Sequence, residues 1–573
     1  MCSSDLILSR GTAEAGCSAS GGVLRVVVTR DGREFFPKLF RHLSVRKGEP
    51  YTLSFRVRCA KGTPAATLGL AVADAAGGWR SLGVHRTIEV GGAWRKVDAA
   101  FIATDDSDKA QFQMTRFKTG TYELADLSFQ SGAKCEWDAA SRIEDGTVPI
   151  AKAEGFAPPR MKRDFCEFLL DTERAYWAAM TRFIKDELKA GSPVAGTQLG
   201  YSPPFVQAEM DVVDSHAYWC HPSPVGKDWR IRNQPMVHSM SCIQHLAAQR
   251  VLGKPYTVSE YNHPFPNQYG AEGQLFLRAY GAFQGWDGVF EYTYNHSPDF
   301  EPDRTTYFFS IVARTDVLAH FPACAAMFLR GDVAEAKAMV VGAVDRAAWF
   351  DRLVAGRGVG ASIGAAGFDA RMTLGHKTAV DLSGRNGTEP AAVAAPEAKV
   401  LASDTGELTW NTESPQAGYW TVNTPDTKVF TGFPQGRTIR LGGVTLAIGR
   451  TRLDWATLSL VSRQATGFGE SGKPASILLA ATGLAENKGM VIERVNEAVI
   501  TLGDKWGSGP VCVEGVPATV TLPSAPGRTK CHALDPGGNR KREVPVEPGE
   551  AGGSKIILKP EYETVWYEIA IAN

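Results

Sequence analysis

One carboxylate stands where a strand gives way to a loop, and it offers the most chemistry in the chain. In Lys254-Pro-Tyr-Thr-Val-Ser-Glu-Tyr-Asn262, the run from Tyr256 to Val258 reads as a strand that ends on Glu260. His263-Pro-Phe-Pro-Asn267 then breaks it into an aromatic, proline-rich loop. Side chains alternate along a strand, so strict alternation puts Tyr256, Val258 and Glu260 on one face. A helical segment from Ala271 to Phe283 follows, closed by Gly285. A carboxylate at such a strand end can attack a substrate or move a proton; the plain alternative is a solvated glutamate.

Three neighbouring runs end in similar company. Val212-Val-Asp-Ser-His-Ala-Tyr-Trp219 carries Asp214, His216, Tyr218 and Trp219. Val194-Ala-Gly-Thr-Gln198 ends on Gln198, and Gly288-Val-Phe-Glu-Tyr-Thr-Tyr294 carries Glu291, Tyr292 and Tyr294. Asp214, His216, Cys220 and His221 have metal-binding atom types. A strand and its loop would have to converge four side chains of mixed softness, so no metal site and no cofactor are expected. Alternation sets Glu291 opposite Phe290 and Tyr292, where it reads as an ion-pair partner between strand and helices. Glu173, in Asp171-Thr-Glu-Arg174, reads as a mid-helix surface ion-pair residue, and Asn496-Glu497 as a strand-edge surface pair.

Helical patterns near 205–210, 239–252, 271–283 and 311–329 alternate with these four runs, which implies parallel strands with helical crossovers. Upstream, Phe165, Phe168, Leu169, Thr172, Tyr176, Met180, Phe183, Ile184 and Leu188 follow helical spacing, with Asp164 as a cap. Residues 20–133 read instead as short strands divided by turns, among them Leu24–Val28, Tyr51–Val57 and Thr121–Phe129, and so as a β-sandwich. Residues 134–161 form a Gly-, Ala- and Pro-rich linker. From 351 to 573 the chain is β-rich again, with strands such as Thr438–Leu441, Val444–Ile448, Ala456–Val461, Ser476–Ala480 and Val565–Ile569, enough for one or two further sandwiches. The expected class is thus multidomain, α/β plus all-β.

The chain's 573 residues suit three or four domains of about 150 residues each. Lys plus Arg and Asp plus Glu each number 62, so no global field favours nucleic acid or an anionic membrane. No run of about 18 apolar residues offers a membrane span. Ten cysteines without a CxxC pair signal neither zinc nor a dense disulfide framework. Met1 to Leu6 lacks the cationic and apolar regions of a signal peptide, and the true start is expected to lie elsewhere.

Residues 20–133 resemble a carbohydrate-binding module of the cellulase type, through Tyr51-Thr-Leu-Ser-Phe55, Trp94 before Phe101, and Tyr122 to Phe129. The resemblance implies sugar binding, with Trp79 beside Gly77 and Gly78 as the stacking ring; packing is the alternative for Trp79 and Trp94. Residues 162–350 resemble the second half, strands five to eight, of a retaining glycoside hydrolase with a TIM (β/α)8 barrel, of the clan with catalytic glutamates on strands four and seven. Glu260 matches the nucleophile, Ser215-His-Ala-Tyr218 the sixth strand, Phe290 to Tyr294 the eighth, and Gln198 ends the fifth. The resemblance implies an oligo- or polysaccharide partner. Tyr218, Trp219, Tyr261, Tyr292 and Tyr294 would supply aromatic faces, and Gln198, His216, Asn262, His263 and Asn295 polar contacts. It also implies export to an extracellular or periplasmic place. One departure is plain. The strand-four Asn-Glu pair that supplies the acid/base has no counterpart at a barrel position, so an N-terminally shortened glycosidase is expected. The alternative is a non-catalytic carbohydrate-binding protein.

Overall fold

The computed structural model describes residues 6–32, 35–132, 141–148, 159–224, 226, 228–239, 241–354, 360–388, 399–412, 417–470 and 472–573. They fall into two compact units, Met1–Leu169 and Leu170–Asn573. Most of the expected linker lies outside the described residues.

The first unit is a sandwich of ten strands: β1 (Ile7–Ser9), β2 (Glu14–Ser20), β3 (Val23–Arg30), β4 (Lys38–Val45), β5 (Pro50–Cys59), β6 (Ala66–Asp74), β7 (Ser81–Val90), β8 (Arg95–Ile102), β9 (Ser107–Thr115) and β10 (Gly120–Ser131). One sheet has the order β1-β4-β9-β6-β7 and the other β2-β3-β10-β5-β8, with every pairing antiparallel. Two strands precede residue 20, where the sequence pattern shows no alternation: β2 is mostly exposed small and polar residues. Elsewhere alternation is clean. Tyr51, Leu53, Phe55, Val57 and Cys59 of β5 face Ala110, Phe112 and Met114 of β9 across one core.

The second unit begins within the helix α1 (Pro159–Arg182), which runs on through a π-type segment, Phe183–Glu187. The helical spacing is realised, yet Tyr176, Met180, Phe183 and Leu188 are exposed. Glu173 differs from expectation: it accepts hydrogen bonds from Ser202 and Trp177 rather than pairing with a cation.

Next come α2 (Pro204–Gln207), β11 (Val213–Tyr218), β12 (Ile231–Arg232), α3 (Ser241–Ala247), β13 (Tyr256–Asn262), α4 (Gly273–Phe283), β14 (Gly288–Val289), α5 (Thr315–Leu318) and α6 (Phe321–Phe328). β11, β13 and β14 form a parallel sheet in that order. The run at Val194 contributes one parallel bridge, Ala195 to Val212, rather than a strand. The run at Gly288 forms a regular strand only to Val289; beyond it the Phe290 and Tyr292 amides still bond to the Val258 and Tyr261 carbonyls (2.8 and 3.2 Å), and Thr293 turns to the Phe309 carbonyl (2.9 Å).

Beyond them lie three layers. The helices rest on one face of a nine-stranded antiparallel sheet, where Phe276 and Tyr280 of α4 meet Trp420 at 4.4 and 6.2 Å between ring centroids. The other face of that sheet packs on a five-stranded sheet through residues such as Phe430, Leu458, Leu446 and Val520. Coverage on both sides explains why Thr427–Gly432 and Ala456–Ser462 are buried at every position.

Candidate functional site

Glu260 does not share a face with Tyr256 and Val258. β11 and β13 run in register from Val213–Tyr256 to Ser215–Val258, and then His216 pairs with Glu260, leaving Ser259 as an extra residue. This bulge shifts the alternation. Tyr256, Val258 and Tyr261 are buried in the core that includes Leu275 and Phe276 of α4. Thr257, Ser259 and Glu260 turn toward the polar side chains of β11.

There they form one network. Asp214 accepts from the Thr257 hydroxyl (2.6 Å), the Ser259 amide (3.0 Å) and the Ser259 hydroxyl (2.6 Å). His216 Nε2 lies 3.0 Å from Asp214 Oδ2 and 2.7 Å from Ser259 Oγ, while Nδ1 lies 3.3 Å from Glu260 Oε2. The Tyr218 hydroxyl donates to the same Glu260 oxygen. The His216 ring thus lies between two carboxylates, with one nitrogen near each. Burial alone would raise the Asp214 pKa; hydrogen bonds from His216, Ser259 and Thr257 outweigh it and hold the group below its ordinary range. Asp214 is therefore an anion that orients His216, unsuited to donate a proton. Burial pushes the Tyr218 phenol far above its ordinary value, and its bond to Glu260 adds to that, so it stays a donor.

Aromatic rings extend the floor. Tyr218 meets Phe309 at 5.0 Å, His221 at 5.3 Å and Tyr292 at 6.2 Å, each edge-on. Tyr294, half exposed, stacks with Phe300, and the Asn295 amide donates to the Asp299 carbonyl. Gln198 is half-buried. A cleft of about 1060 Å³ opens beside His216 and Tyr218 and reaches His221, Arg230, Arg232, His245 and Asn496. Asn496 thus lines a cleft rather than a bare strand edge. It does so because Val499–Thr501 leaves the C-terminal sandwich to pair with β12, Ile231 with Ile500 and Arg232 with Val499.

Four expected contact residues are elsewhere. Tyr261 is wholly buried with its hydroxyl toward Met236 Sδ. The Asn262 amide is spent on the Tyr292 and Phe309 carbonyls, each at 2.7 Å. His263 is sealed between Trp219 and Tyr261, close enough to α4 that a Cβ at Gly273 would run into its ring. Burial holds its pKa well below the ordinary value. Trp219 is 5% exposed, its indole donating to the Gln234 carbonyl, so it borders the cleft without offering a face. Of the metal-like quartet, Asp214 and His216 bond each other, His221 Nδ1 meets the Pro222 carbonyl at 2.7 Å, and burial pushes the Cys220 thiol up to about 12. Glu291 is buried 3.8 Å from Arg278 of α4; burial lifts it to about 8 although Arg278 and Arg314 pull it down.

The first unit holds a second candidate site. The outer face of β4, β9, β6 and β7 carries the cross-strand row Phe40, Gln113, Ala71 and His85, and beside it His42, Gln111 and Ala73. Small residues on β6 keep the floor low between taller walls. Gln111 and Gln113 are polar yet only 5% and 9% exposed, and Gln113 donates to Gln111 at 3.2 Å. Trp79, 52% exposed, stands at one end with the Lys38 ammonium 4.1 Å from its ring. Its loop is pinned by Asp74, which accepts from Ser107 (2.9 Å) and Ala76 (3.2 Å). Trp94 is half-buried under Arg56 and Arg58 and packs rather than presents a face.

No protein-family model matches the chain. No curated protein sequence does. Solved structures resemble part of it. The N-terminal cellulose-binding domain of Cellulomonas fimi β-1,4-glucanase C is 16% identical with a TM-score of 0.20, covering 23% of this chain and 91% of that one. The CBM22-1 xylan-binding domain of a Paenibacillus barcinonensis xylanase is 15% identical with a TM-score of 0.19, covering 23% and 90%. The CBM22-1 and GH10 modules of a Clostridium thermocellum endo-1,4-β-D-xylanase, complexed with xylohexaose, are 15% identical with a TM-score of 0.18, covering 22% and 26%. What those modules bind is a property of those proteins.

Proposed function

We propose that this is a carbohydrate-active chain whose β11–β14 segment is the second half of a retaining glycosidase barrel, with Glu260 as nucleophile and residues 7–131 as a sugar-binding module. The observation that carries it is Glu260 itself: a strand-end carboxylate, 31% exposed, held by Tyr218 and His216, both of which line the adjoining cleft. Retaining hydrolysis sets a nucleophile about 5 Å from a carboxylic acid. Among the described residues, Asp214 is held below its ordinary range and Glu291 is buried beside Arg278 without lining the cleft, so in this reading neither is the acid/base. Such proteins act on β-linked polysaccharides outside the cytoplasm, and we place this one there.

A half-site makes a distinctive prediction. A dinitrophenyl β-glycoside needs no acid, because dinitrophenolate leaves unprotonated. The Glu260 carboxylate oxygen bonds to the anomeric carbon, the glycosidic bond breaks, and the ester persists because no base activates water. Intact-mass measurement across a panel of such glycosides should show one glycosyl unit on Glu260, absent in Glu260→Gln, with no turnover above background. A chain that binds oligosaccharides but is never labelled fits the second reading, a non-catalytic carbohydrate-binding protein; the lack of a usable partner carboxylate favours that reading.

A further inference from the structure

We infer that the cleft beside Glu260 takes a glycan bearing an anionic group, a uronate carboxylate or a sulfate ester, on a ring next to the one at Glu260. The inference rests on reading this cleft as a sugar site. Its outer wall includes Ser223, Arg230 and β12, and Ser223 and Arg230 exchange backbone hydrogen bonds of 2.9 and 3.1 Å. From Trp229 to Arg232 buried and exposed positions alternate. Trp229 and Ile231 are buried in a small apolar core with Phe265, Ile500 and Leu502. Arg230 and Arg232 project to the other side, both exposed and both lining the cleft. Residues two apart on a strand stand roughly 6–7 Å from each other, so two guanidinium groups face the cavity from a rigid mount.

Among the described residues no carboxylate is paired with either of them. No aspartate or glutamate among the described residues lines the cleft. The nearest acidic side chain on that small sheet, Glu493, is taken by Lys505. Some other arginines of this unit are matched, as Arg174 by Glu209 and Arg330 by Asp332. The chain's formal charge is zero, so the pair does not reflect a global cationic excess. Guanidinium forks suit carboxylate and sulfate oxygens in a way that hydroxyls do not match. The charge of Glu260 repels an anion at the reacting ring, which sends the anionic group to the arginine end.

The test uses the full chain and calorimetric titration with neutral β-linked oligosaccharides, their uronate counterparts and their sulfated counterparts. The proteins are the parent chain, an Arg230→Gln/Arg232→Gln variant and a Tyr218→Ala variant. Both arginines are exposed, so the double variant should fold. We expect at least about tenfold tighter binding of one anionic series, weakened by salt and lost in the double variant, with neutral binding unchanged. Whichever series is preferred assigns carboxylate or sulfate. Equal affinity for neutral and anionic glycans, or a preference that survives the double variant, overturns the inference. Binding that never responds to Tyr218→Ala overturns it together with the cleft reading, whereas neutral binding that does respond leaves that reading standing.

Discussion

Trp79 reaches its exposed position through a left-handed backbone turn with φ of 65° after Gly78. Its ring is half exposed under the Lys38 ammonium and is not part of the sandwich core, so truncation leaves that core intact. If a sugar ring takes its face, Trp79→Ala should weaken binding of a β-glucan by about 1–2 kcal/mol without moving the melting temperature. Titration of residues 7–131 with soluble β-glucans measures it; unchanged affinity on every glycan would leave Trp79 as a packing residue. Trp79 and Glu260 keep exposed surface and His216 and Tyr218 line the cleft, placements that sequence could suggest because each is a large polar or aromatic side chain at a turn or strand end. Tyr261, Asn262 and His263 looked the same in sequence and are buried. The extra residue, Ser259, decides which side each one faces, and nothing in Val-Ser-Glu-Tyr-Asn marks a bulge.

His320 joins elements far apart in sequence, the turn between α5 and α6 and two strands of the nine-stranded sheet. Its Nδ1 and Nε2 each lie 2.8 Å from a hydroxyl, Ser459 and Thr482 respectively. Burial drops its pKa from 6.5 to about 3, with Asp316 opposing weakly. The folded state holds a neutral ring, so this contribution is complete above pH 6.5 and drains away as the pH falls toward 3. Glu291 acts in the opposite sense: with its pKa raised to about 8, its contribution is complete below about 4.5 and lost as the pH rises through 8. These two groups should therefore make the second unit most stable at mildly acidic pH, between about 4.5 and 6.5, and less so on either side, and His320→Asn should flatten the acid limb. Denaturant melts at stepped pH check this; an acid limb of unchanged slope in the variant would assign it to other groups. The elements themselves were largely legible, because apolar alternation marks strands such as Thr438–Leu441 at their observed bounds. The excursion that brings Asn496 to the cleft was not, since only its pairing with β12 gives it a place.

At the scale of the molecule, the second unit combines a well-covered core with a poorly covered flank. Parallel strands are ordinarily buried on both faces. Here the helix side of β11, β13 and β14 is sealed, but the flanks of the sheet end in a single bridge at Ala195 and a two-residue strand at Gly288. Around them Tyr176, Phe183, Leu188, Tyr201 and Phe290 are 56%, 42%, 61%, 81% and 56% exposed. Exposed aromatic and aliphatic side chains of this kind favour association, and short parallel edges offer N–H and C=O groups to a second copy. No global charge opposes it, because the formal net charge is zero. The 573-residue chain should therefore self-associate with rising concentration, as followed by light scattering. Phe183→Glu with Leu188→Glu should shift it toward monomer without loss of secondary structure, since neither side chain is buried. A chain that stays monomeric at every concentration would mean that these exposed side chains do not form a contact between copies.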